Sequence, residues 1–181
     1  MEVEVRILDE RLRSWGFPAY GSALAAGLDL FACIDGSVCL RPQGRPQLIS
    51  SGLSLRIGSP DWCAMVVPRS GLAHHDGLVL GNTIGIVDPD YTGPCLVSVW
   101  NRNPPSRGPD SSDDGIVIRP GDRIAQLIFI RITRPEFRLV DAFSAMTDRG
   151  GGGFGSTGVS SKSGEPQRDQ GPGSDTRRRR A

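Results

Sequence analysis

Two aspartates, Asp88 and Asp90, flank a proline and stand directly before a tyrosine in LGNTIGIVDPDYTG, Leu80 to Gly93. A carboxylate held at such a turn can orient or deprotonate a water. Solvated turn aspartates would give the same letters. Asn82, earlier in the run, carries both a donor and an acceptor and suits reading the edge of a base. A second stretch is PRSGLA, Pro68 to Ala73. An Arg-Ser pair there ends an apolar run and opens a short helical turn, whose first N–H groups point outward unpaired; the arginine fork fits phosphate oxygens. A turn with a solvated arginine is the competing account. In ALAAGLDLFA, Ala23 to Ala32, Asp29 sits among apolar neighbours, where an acid needs a partner, a metal or a metal's water. An N–H-capping aspartate would serve equally. RPGDRIAQLI, Arg119 to Ile128, alternates so that Ile124 and Leu127 belong to a sheet and Gln126 faces the other way. Last comes DRGGGGFGSTG, Asp148 to Gly158. A glycine run reads as a linker, but Phe154 does not suit one. His74 and His75, adjacent at a turn, take no metal role.

The elements that position these residues are short. The 181 residues include 24 glycines and 14 prolines with 38% hydrophobic content, which favours strands and turns over long helices. Apolar runs at VEVRIL, LISSGLSLRI, WCAMVVP, CLVSVWN, GIVIRPG and RIAQLIFIRI read as strands between turn signals. SGLAHHDG offers one helical turn. The expectation is an all-β barrel or jelly roll over residues 1–145, a glycine-rich segment at 146–158, and a disordered basic tail at 159–181. NPPSRGPDSSDD, Asn103 to Asp114, reads as a long hairpin loop.

Charge is nearly balanced, 21 basic against 20 acidic residues, so it names no partner. Six of the basic and three of the acidic residues lie from Val159 onward, leaving a slightly acidic body. The terminal RRRR fits a nuclear-import or nucleic-acid patch, or a solubilising end. Cys33, Cys39, Cys63 and Cys95 lack metal-type spacing and read as buried, reduced thiols. No signal pattern opens the chain and no apolar run reaches membrane-spanning length, so an intracellular protein, cytoplasmic or nuclear, is expected.

Taken in order, AGLDLFA, PRSGLA, GNTIGIVDPDYTG, GDRIAQLI and RGGGGFGSTG resemble the five motifs of the trimeric dUTP diphosphatases (dUTPases), over about residues 1–158. SVWN and the LGN before the third motif look closest to the bacterial or viral type. The resemblance implies a jelly-roll subunit, a homotrimer with swapped C-terminal arms and shared sites, and Mg²⁺-dependent hydrolysis of dUTP to dUMP and pyrophosphate.

By the same resemblance, Asp88 activates the attacking water, and Tyr91 lies under the deoxyribose and rejects a 2′-hydroxyl. Asn82 with Ile86, Val87 and Leu96 receives uracil, while Arg69, Ser70, Gly71 and Gln126 hold phosphates. Asp29 contacts the metal through water. The fifth motif becomes a lid, with Phe154 over uracil and Arg149, Gly155, Ser156 and Thr157 toward the phosphates. Two rivals share the fold. A dCTP deaminase carries a glutamate in the strand after the IDP turn, where this chain has Ser98. A non-catalytic interaction module would have lost Asp88, Tyr91 or Arg69, which are present.

Overall fold

The computed structural model describes residues 1–18, 20–105, 115–147 and 149–152. The chain forms two compact units, 1–136 and 137–181. In the first unit the described strands are β1 (Glu4–Ile7), β2 (Leu28–Phe31), β3 (Val38–Leu40), β4 (Gln47–Arg56), β5 (Trp62–Val67), β6 (Leu78–Leu80), β7 (Gly85–Val87), β8 (Pro94–Asn101), β9 (Ile116–Ile118) and β10 (Arg123–Arg131). They make one sheet in the order β1-β4-β8-β6, another in the order β2-β10-β5-β7, and a β3-β9 ribbon, all antiparallel. This is the all-β architecture expected.

Alternation explains the inner faces. Along β8, Cys95, Val97, Val99 and Asn101 turn inward between more exposed neighbours. The first three join Leu30, Leu53, Leu55, Ala64 and Leu127 in one core. Each fully buried aliphatic side chain contributes about 1.5–3 kcal/mol relative to exposure. The buried Asn101 amide donates to Leu40 O at 3.0 Å, so the ribbon is tied to β8 by a satisfied polar group. The long β4 bends at Gly52, whose φ is +72°; a side chain there would run into Cys33 Sγ.

Two expectations need correction. β8 and β9 are not hydrogen-bonded neighbours, because β9 pairs with β3. The 103–114 connection therefore leads from a sheet to the ribbon and is no hairpin; its residues 106–114 lie outside the described ones. Cys39 is exposed, since Leu40 takes the inner face of β3, while Cys33, Cys63 and Cys95 are buried and all four are free. Burial pushes the Cys33 thiol up to about 11, with the Asp9 charge adding to the effect. A short helix α1 (Arg11–Ser14), pinned by the fully buried Leu12, was not foreseen.

Candidate active site

Three adjacent strands of the second sheet line up the first, second and fourth motifs. Gln126 of β10 stands opposite Asp29 of β2 on one side and Val67 of β5 on the other. Residues in register point to the same face. Leu28, Leu30, Ala125 and Leu127 take the core side, so Asp29 and Gln126 share the other face, and Arg69 follows two residues after Val67. Asp29 Oδ1 accepts Arg69 Nε at 3.0 Å and Gln126 Nε2 at 3.4 Å; Oδ2 accepts Arg123 Nη1 at 3.2 Å. The partner required by an acid among apolar residues is thus a pair of guanidinium groups, with the carboxylate only 13% exposed. Gly27 makes room here, since a Cβ on it would lie 3.2 Å from Gln126 Cβ and Cδ.

Arg123 was not among the residues singled out. Strict alternation over three positions turns it away from Gln126, but a register shift between Arg123 and Ala125 brings it back to Asp29. The sequence signal was only the Pro-Gly turn just before it. After Arg69, Ser70 and Gly71 enter a π-helical turn, Leu72–Asp76, with Ala73 N donating to Arg69 O at 2.9 Å. Gly71 has an ordinary φ of −62° and open space where a Cβ would stand, so nothing in its own chain demands glycine. A cleft of about 760 Å³ runs beside this turn, lined by Arg69, His75, Asp76, Asn103, Asp122 and Arg123 among others.

The third motif is built differently. Among the described residues β7 is the edge of its sheet, and its outer N–H and C=O groups have no strand partner there. Before it, Thr83 is held at φ +66°, in the left-handed region a β-branched residue avoids, and Ile84 N donates to Asn82 O at 2.7 Å. Asn82, Ile86 and Leu96 are exposed and Val87 is buried. In the turn after β7, Tyr91 N donates to Asp88 O at 3.2 Å and Tyr91 Oη to Pro94 O at 3.0 Å. Gly93 lies against the phenol: a Cβ there would stand 2.5 Å from Oη. Asp88 and Asp90 border a second cleft, of about 640 Å³, with Arg56 and Arg134. Asp88 helps, after burial, to raise the Cys63 thiol.

That neighbourhood decides a larger point. In the β5–β7 pairing Val87 stands opposite Ala64, which puts Asp88 beside Cys63 at the start of β5. Arg69 follows the other end of β5. Six residues at a rise of about 3.3 Å separate those ends by about 20 Å. One chain therefore does not bring Asp88 to its own Asp29–Arg69–Gln126 cluster. In the second unit, Arg149 Nε donates to Gly152 O at 2.9 Å within a local turn. Phe154, Gly155, Ser156, Thr157 and the arginine tail lie outside the described residues.

No group of three or more His, Cys, Asp or Glu able to hold a metal occurs among the described residues. A carboxylate offers about four lone-pair sites. Three of those on Asp29 receive hydrogen bonds from side chains, two of them cationic. What remains fits a hydrogen bond from a metal-bound water better than a direct metal bond. No helix among the described residues is long and apolar enough to cross a membrane.

Two antiparallel sheets over one core thus carry polar clusters at separated ends of one sheet. A sequence model of the dUTPase family matches residues 13–158, and the chain belongs to that family. The deoxyuridine 5′-triphosphate nucleotidohydrolase of Enterobacter sp. (strain 638) is 46% identical over 158 residues, covering 87% of this chain and 97% of the relative. That of Shigella flexneri is similar to the same degree and over the same shares. Among solved structures, the dUTPase of Staphylococcus bacteriophage 80alpha with dUPNHPP superposes with a TM-score of 0.75 at 25% identity, over 87% of this chain and 99% of that one. A variant dUTPase of phage phi11 of S. aureus, described as coordinating a structural Mg(II) ion, gives 0.67 at 26%, over 80% and 100%.

Proposed function

We propose that this protein hydrolyses dUTP to dUMP and pyrophosphate, in sites that each draw residues from more than one copy of the chain. The observation that carries the reading is the placement of Asp88 and Arg69 at opposite ends of β5. Both are needed around one triphosphate, so a site is completed when a second copy brings its Asp88 to this copy's Asp29–Arg69–Gln126 cluster. The family is typically trimeric. Phe137, Leu139, Phe143 and Met146 are 88–99% exposed, an apolar stretch that another subunit would cover as an exchanged arm.

Asp88 orients and deprotonates the water that attacks the α-phosphorus, and the bond to the bridging oxygen of pyrophosphate breaks. Arg69 and Gln126, with main-chain N–H groups at Ser70 and Gly71, bind the departing phosphates. Mg²⁺, bound chiefly by phosphate oxygens and water, would neutralise charge there, with Asp29 accepting from one of its waters. Base selection fits the free edge of β7. Main-chain groups of Ile86 and Val87, with Leu96 and the Asn82 amide, match uracil's edge and would leave cytosine's amino group unpaired, a costly mismatch once buried. Tyr91 closes the sugar side against a 2′-hydroxyl. The 146–158 segment then covers the nucleotide, with Phe154 over the base and Arg149, Gly155, Ser156 and Thr157 toward the phosphates; glycine keeps that closure reversible.

Ser98, half-buried in β8, supplies no acid for deamination. The reading goes with an intracellular location, where nucleoside triphosphates are kept. The test is pyrophosphate release from dUTP with Mg²⁺, beside dCTP, dTTP and UTP. Release from dUTP alone is expected. Folded protein that binds dUTP without releasing pyrophosphate would instead be an interaction module on this fold.

A further inference from the structure

The turn that carries Arg69, Ser70 and Gly71 is fastened at its far end by a residue outside the five motifs. Leu72–Asp76 closes as one π-helical turn, and Gly77 ends it at φ +76°. The last carbonyls of any helical turn lack partners within it. Here Asn103 Nδ2 donates to Asp76 O at 2.8 Å. The same amide fills the space beside Gly77, where a Cβ would lie 2.6 Å from Asn103 Cγ. Arg102 N donates to Gly77 O at 3.0 Å, and Asn103 N to Asn101 Oδ1 at 3.0 Å. Asn101 is itself buried and bonded to Leu40 O. A continuous set of hydrogen bonds thus runs from the core to the end of the turn. One turn further on, Arg69 O accepts from Ala73 N and the Arg69 side chain rests on Asp29.

We propose that Asn103 is a positioning residue for phosphate recognition. Its amide fixes the C-terminal end of the π-helical turn, and through that turn the placement of Arg69 and of the Ser70 and Gly71 N–H groups. This rests on the reading that the turn holds the phosphate chain. Neither β10 nor the Asp88 turn contacts the amide through a hydrogen bond among the described residues, so the effect belongs to ground-state phosphate binding rather than to the attacking water.

The test compares Asn103→Ala, Asn103→Asp and Arg69→Ala in the full chain with Mg²⁺. Asn103→Asp keeps the shape and loses the donor. Both Asn103 variants should raise KM for dUTP about three- to tenfold with kcat within about twofold, the scale of one hydrogen bond. Affinity for dUPNHPP should fall by the same factor and that for dUMP, which lacks the outer phosphates, by less than about twofold. Wild-type KM in both variants would overturn the proposal. So would equal losses for dUPNHPP and dUMP accompanied by a lowered Tm, which mark a purely structural residue. If Arg69→Ala retains full dUPNHPP affinity, the phosphate reading of the turn fails and this inference with it; if Arg69→Ala weakens binding while the Asn103 variants do not, only the role of Asn103 fails.

Discussion

Asp88 and Tyr91 share one turn, and their surroundings differ in a way that separates their roles. Asp88 is exposed at the mouth of a cleft, as its proposed role in activating a water requires. Asp88→Asn should retain affinity for dUPNHPP while kcat falls about 10²–10⁴-fold, the cost of losing a positioned base; single-turnover rates beside a binding isotherm would check it, and near-normal turnover would remove Asp88 from that role. Tyr91 donates to the Pro94 carbonyl and its phenol lies beside Gly93. Gly93→Ala sets a methyl against the phenol and must push the ring off its place. The expected result is a drop in the dUTP-over-UTP ratio of kcat/KM, because a Cβ at 93 would lie 2.5 Å from Oη and 2.7 Å from Cζ of the ring. An unchanged ratio in Gly93→Ala would mean the ring does not set sugar selection.

Elements matter here through their edges and ends. Strands three residues long, β3, β6, β7 and β9, are too short for alternation to announce; β3 and β6 went unread, while β7 and β9 were legible beside their turns. LDLF of β2 was hidden in a run whose only polar residue is Asp29. Before α1, Asp9 accepts from Arg11 N at 3.0 Å and holds the Arg11 guanidinium through both oxygens. Those side-chain bonds hold the Asp9 carboxyl below its ordinary value of 3.8, with burial opposing them. A depressed carboxylate contributes stability that is complete above its unfolded value and is lost as pH falls through the folded one. Asp9→Asn should therefore lower the Tm at pH 7, and the difference from the unaltered protein should shrink below pH 3.8. A difference independent of pH would assign the effect to packing.

For the whole molecule, the proposed function together with the separation of Asp88 from Arg69 predicts that assembly is part of catalysis. Asp88→Asn and Arg69→Ala chains should each be inactive alone. Denatured together in equal amounts and refolded, they should recover roughly a quarter of the normal activity, because half the copies carry an intact Asp88 and half of their partners an intact Arg69. No recovery from a mixture that forms trimers would mean that one chain serves its own site. The exposed apolar residues from Phe137 to Met146 point the same way, toward a chain that is finished only among its copies.

The residue types for the chemistry, their order, the strand-rich character and the single helical turn after Pro68 could all be read along the chain, because each depends on neighbours a few positions away. What those residues face could not. Asp29 meets Gln126 across 97 positions, through a register chosen by how Leu28, Leu30, Ala125 and Leu127 pack into the core. A one-residue bulge decides that Arg123 joins them. The β5–β7 pairing parts Asp88 from Arg69, and the exit from β8 brings Asn103 to Asp76. Local alternation assigns a side chain to one of two faces; only packing between strands distant in sequence selects which groups meet there.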